Sequence, residues 1–119
     1  MIRFAVVAVL LSGCASYVRE YSIAMPAQNA LQFFFHVTSA AKNRTYETER
    51  TERGVRIVTP TSDVLRYEMT SEEVVLIVEP NTRKKDRQEI EGRLEELHAL
   101  GETLVDEARF TAERAKAFQ

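Results

Sequence analysis

The spacing of hydrophobic positions divides the chain into a leader, a tether, a helix, a group of strands and a second helix. Ten of the first 13 residues are hydrophobic, against 43 of the remaining 106. The uninterrupted apolar run, residues 4–11, makes only about 12 Å of helix. That is too short for the ~30 Å hydrocarbon core of a bilayer but long enough for the central region of a signal peptide. Residues 14–25 keep neither helical nor strand period up to Pro26. They read as a tether of at most roughly 40 Å, although the weak alternation of Tyr17, Val18, Tyr21 and Ile23 also fits an edge strand.

From Pro26 the period turns helical. Ala30, Phe34, Val37 and Ala41 fall at i, i+4, i+7 and i+11, flanked by Leu31, Phe33 and Phe35. Proline in a first turn loses no hydrogen bond. With three consecutive phenylalanines the apolar arc covers more than half the helix circumference. The helix is therefore either covered on two sides, with its extra Phe under a loop, or it leaves an aromatic patch that serves as a partner groove.

Four short runs follow, at 45–50, 55–59, 64–69 and 74–78. Val55, Ile57 and Thr59 share one face, as do Leu65, Tyr67 and Met69, whereas 74–78 is apolar throughout. Gly54, Pro60-Thr61-Ser62-Asp63 and Thr70-Ser71-Glu72 supply hairpin-length breaks. The pattern predicts an antiparallel meander. Its first strand carries Glu47, Glu49 and Arg50, charges suited to an exposed edge, and its fourth should be central or covered on both faces.

After Pro80 the chain reads as helix to its end, with Asp86, Arg87, Gln88 and Glu89 offering a cap. Ile90, Leu94, Leu97, Leu104, Ala108, Ala115 and Phe118 follow a 4-3 spacing, and Gly101 and Thr111 occupy the two missing seam positions. About 45 Å of helix exceeds the width of a four-stranded sheet. It must overhang, or bend at Gly101, where an interior glycine costs about 1 kcal/mol. In the overhang, Ala108, Thr111, Ala112 and Ala115 form a stripe of small residues suited to close packing. It packs against the first helix of its own chain or against a second chain. The predicted architecture is α+β and two-layered: a four-stranded antiparallel meander with an N-terminal and a long C-terminal helix on one face. Residues 26–119 form the single domain, since a body of this size is too small for two.

Charge and chemistry narrow the function classes. Without residues 1–13 the chain holds 15 bases and 18 acids, which gives no electrostatic reason to expect nucleic acid. Residues 86–107 carry eight acids and two bases, a solvated helix face or a surface for a cationic partner. Arg83-Lys84-Lys85, with Arg87, forms a solvated loop or contacts anionic head groups or cell-wall polymer. His36 and His98 have no metal-ligand spacing, and Glu72-Glu73 and Glu95-Glu96 are neighbours whose side chains diverge. With no phosphate loop or nucleophile motif, the reading is non-enzymatic, without catalytic residues, cofactor or metal.

Cys14 is the one cysteine, preceded by Leu11, Ser12 and Gly13. This segment resembles the lipobox of bacterial lipoproteins: a Leu, two small residues that admit the peptidase, and the Cys whose thiol forms a thioether. The resemblance covers residues 1–14 alone. It implies cleavage before Cys14, a diacylglycerol on its sulfur and an acylated new amino terminus, hence lasting attachment to a membrane. Ala15 and Ser16 stand where an Asp would favour inner-membrane retention, so the resemblance implies the periplasmic side of the outer membrane. The predicted helix-sheet arrangement is similar to that of small envelope lipoproteins acting as assembly or chaperone subunits, though fold analogy carries little functional weight. The expected function is a membrane-anchored binding or scaffold subunit with an envelope protein partner, or self-association. The alternative is a binder of lipid or another apolar ligand between sheet and helices.

Overall fold

The computed structural model describes residues 17–81 and 86–117. Cys14 with its flanking motif, Arg83-Lys84-Lys85 and Phe118 lie outside the described residues. An antiparallel sheet of five strands is covered on one face by two helices. The strands are β1 (Arg19–Ile23), β2 (Glu47–Arg50), β3 (Gly54–Val58), β4 (Val64–Met69) and β5 (Val74–Glu79), in the order β1-β5-β4-β3-β2. The helices are α1 (Ala30–Asn43), entered through a 3-10 turn at Ala27–Asn29, and α2 (Arg87–Ala117). No described helix is long and apolar enough to cross a membrane.

The strand count corrects the four-stranded expectation. β2 to β5 form the predicted meander, and within the segment read as a tether Arg19–Ile23 forms the edge strand that the alternation of Tyr21 and Ile23 also fitted. In a four-stranded sheet β5, apolar from Val74 to Val78, would be an edge, where unpaired N–H and C=O groups beside Val and Leu side chains invite pairing with other chains. β1 closes that edge. It pairs antiparallel from Arg19 opposite Val78 to Ile23 opposite Val74, and it buries Tyr21 and Ile23 beneath the helices.

The register lines up the residues on which the helices rest. Val55, Tyr67, Leu76 and Tyr21 form one row across β3, β4, β5 and β1, all turned toward the helices and all buried. α1 meets this row through Phe33, whose ring stands edge-on to Tyr67 at 5.4 Å between centroids. α2 meets it through His98, stacked on Tyr21 at 3.7 Å and 7°. It also meets it through Gly101, whose carbonyl accepts the Tyr67 hydroxyl at 2.6 Å. Burial, and after it the nearby Glu102 charge, pushes the Tyr67 phenol far above its ordinary range, so it stays protonated and able to donate.

Gly101 is a contact point and not a hinge: α2 runs unbroken through it. A Cβ at this position would lie 2.4 Å from the Leu76 Cδ2 atom, so only glycine lets the helix sit this low on β5. Gly54 has a comparable role within the sheet, where a Cβ would collide with the Tyr67 carbonyl oxygen at 1.9 Å.

Both helix ends follow from local sequence. Asp86 caps α2 by accepting the Gln88 N–H at 2.9 Å. α1 ends with Tyr46 N–H donating to the Ala41 carbonyl and Thr45 N–H to the Lys42 carbonyl, with Thr45 in the left-handed region at φ 62°. This reversal sends the chain into β2. The overhang of α2 is real: from Arg109 to Arg114 only Ala112 is partly covered.

These contacts predict opposite outcomes at two glycines of one helix. Gly92 is exposed with open space around its Cβ position, so Gly92→Ala should stabilise by up to about 1 kcal/mol through helix propensity. Gly101→Ala should destabilise by about 1 to 3 kcal/mol, because overpacking against a fully buried Leu76 outweighs the propensity gain. Urea midpoints of the two variants, measured at unchanged m-value, check the pair.

Candidate binding surfaces and the polar clamp

The three consecutive phenylalanines separate by direction. Phe33 and Phe34 enter the core, while Phe35 points away from the sheet beside Leu31; these two are 65% and 69% exposed. Among the described residues no loop covers Phe35, so of the alternatives read from the sequence the one that leaves this ring exposed is realised. Thr38 and Ser39 flank it and donate to the Phe34 and Phe35 carbonyls one turn back. On α2, Phe110 is 60% exposed, with the Arg114 guanidinium 5.7 Å from its ring centre.

The small-residue stripe divides likewise. Ala108 is core, Ala112 is half-buried and Thr111 is exposed, its hydroxyl donating to the Glu107 carbonyl. The side chain of Ala115 lies outside the described residues. Where α1 crosses α2, a depression opens on each side of the long helix. One, of about 530 Å³, holds Asn43, Arg44, Asp106, Glu107 and Phe110, with Arg44 ion-paired to Glu107 across the two helices. The other, of about 370 Å³, has a floor of Met25, Phe33, Ala108 and Ala112 and a rim of Asn29, Gln32, His36 and Arg109.

The other titratable residues singled out in the sequence do not converge. His98 lies on Tyr21 with its Nε2 atom 3.4 Å from Glu102. His36 is on α1, in the second depression. Glu72 and Glu73 are in the β4–β5 turn, and Glu95 and Glu96 are on the solvent side of α2. Among the described residues, no group of three or more His, Cys, Asp or Glu is placed to hold a metal ion.

One polar cluster was not foreseen. Asp63, read from the sequence only as part of a turn, is 1% exposed. Its carboxylate accepts from the Thr61 hydroxyl, from the Asn81 backbone N–H at 2.7 Å and from the Arg93 guanidinium. The β3–β4 turn, the segment after β5 and the first half of α2 are thereby clamped together. The partners lie 18 and 30 residues away, so no local pattern reveals the cluster. Its residues are spent on one another, and the clamp is structural. Arg19 and Glu91, paired at 2.7 Å, fasten β1 to the same part of α2.

No protein-family model and no curated protein matches the chain.

Burial alone would raise the Asp63 pKa. The hydrogen bonds from Thr61, Asn81 and Arg93, together with the Arg93 charge, overcome this and hold it below the usual carboxylate range. A carboxylate with a lowered folded pKa contributes stability that is complete above its unfolded value, about pH 4, and is lost as pH falls through the folded value. Asp63→Asn should therefore cost about 2 to 4 kcal/mol at pH 7. The gap to wild type should narrow as pH is lowered from 5 to 3, as read by urea denaturation across that range.

Proposed function

We propose that the chain is a lipid-anchored bacterial envelope protein whose α+β domain is a non-enzymatic binding or assembly subunit at the periplasmic face of the outer membrane. The membrane is one partner, through Cys14. An envelope protein, or a second copy of the chain, is the other. The observation that carries this reading is the exposure of Leu31 and Phe35 on α1, whose opposite face is packed in the core, and of Phe110 on the overhang of α2. Leu31 and Phe35, one turn apart, share a face of α1, and neighbouring large apolar side chains at a surface mark places where another surface is received.

The anchor and this surface are compatible in space. β1 begins at Arg19, five residues beyond Cys14, which is no more than about 18 Å of chain. Arg19 is fastened to Glu91 near the start of α2. Phe110 lies about 28 Å further along that helix, so an anchored domain carries this apolar residue at a distance from the attachment point. The alternative, an apolar ligand held between sheet and helices, has less support. Val37, Ile57, Leu65, Leu76 and Val78 at that interface are each 0% exposed and occupy the space themselves.

Two measurements on bacterial membranes test the proposal. Labelled palmitate should enter the wild-type chain and not Cys14→Ser. A photoreactive amino acid in place of Phe35 should give a discrete protein adduct, whereas one in place of the exposed Glu95 should give none. Equal labelling of both chains contradicts the anchor, and equal adducts at both positions, or none at position 35, contradict the binding surface.

A further inference from the structure

We propose that the 370 Å³ groove between the start of α1 and the overhang of α2 binds a small single-chain amphiphile with an anionic head. The site goes beyond the anchoring reading and does not depend on it. Its volume falls in the range of about 300 to 1,000 Å³ typical of small-ligand clefts.

The lining divides as such a ligand requires. Met25, Phe33, Ala108 and Ala112 make an apolar floor, and the short side chains of the two alanines leave the space above it unfilled. Around it stand polar side chains that the fold leaves unspent. Arg109 donates one bond, to the Ala24 carbonyl at 3.2 Å, and among the described residues no carboxylate pairs with it. The His36 Nδ1 atom is buried without a hydrogen-bond partner. The Asn29 side chain makes no cap hydrogen bond, although it precedes the first residue of α1.

The charge pattern selects the head group. The chain holds 18 acids and α2 is rich in them, yet none lines this groove, whose one permanent charge is the Arg109 guanidinium. On the other side of α2 the corresponding depression contains Asp106 and Glu107, with its arginine already paired. Of these two depressions the smaller is therefore the one that offers an anion an unneutralised donor, and an attached hydrocarbon chain covers Phe33 and the alanines. Carboxylate and phosphate monoester heads share this chemistry, the first as a free fatty acid, the second as a fragment of a phospholipid.

The test uses the full 119-residue chain in phosphatidylcholine nanodiscs, with methyl-labelled alanine, titrated with hexanoate, hexyl phosphate and hexanol. The Ala108 and Ala112 methyl signals should shift saturably with one or both anions, while that of the exposed Ala99 stays fixed. The preferred anion identifies the source of the head group. Hexanol should bind at least about tenfold more weakly, and Arg109→Gln should weaken the anions by about tenfold while leaving hexanol unchanged. Arg109 is exposed, so the variant retains the fold, which the remaining alanine signals verify. Absence of saturable shifts, equal affinity for hexanol, or unchanged anion affinity in Arg109→Gln would overturn the site. None of these results bears on palmitate labelling at Cys14.

Discussion

The architecture depends on how closely α2 can lie on the sheet, and Gly101 sets that distance. Without a side chain there, the helix backbone comes within reach of the Tyr67 hydroxyl and rests on Leu76. Tyr67 also meets Phe33 of α1, so a single row of the sheet positions both helices against one another. The remaining contacts orient α2 on this pivot. Asp63 with Arg93, and Arg19 with Glu91, hold its first half over the sheet. Its second half passes α1 and continues beyond the core. The overhang and the two depressions beside it are consequences of that geometry.

Much of the fold was legible because the periods were clean. The strands from β2 to β5 announced themselves through alternation and turn residues, and the helices through their spacing and the Asp86 cap. β1 was obscured because its pattern rests on only two buried side chains, Tyr21 and Ile23. The stronger sign lay elsewhere, in the apolar run of β5, which a four-stranded meander leaves on an edge. Consistency between distant segments, and not local propensity, decided that strand.

The surfaces were legible only in part. Three consecutive phenylalanines cannot share a direction on a helix, so exposure or extra cover was foreseeable, while the identity of the exposed ring, Phe35, follows from how α1 is rotated on the sheet. Gly101 reads in sequence as a weakness in a helix and is in fact its docking point. The Asp63 clamp and the groove near Arg109 each join segments far apart in the chain. Neither has a signature in any single window, because burial and proximity arise only when the sheet and helices are assembled. The Leu11 to Cys14 motif is the reverse case: its meaning is local, and the fold adds to it only the short distance from Cys14 to β1.

The contact between Gly101 and the sheet can be observed directly by proton NMR. Strong cross-relaxation from the Gly101 α protons to the Leu76 methyls, with a Tyr67 hydroxyl proton protected enough to be seen, is the expected result. If the Gly101 α protons show no Leu76 contact while those at Leu97 and Leu104 remain in the core, α2 sits on the sheet in another position, and the account of the overhang and its grooves fails with it.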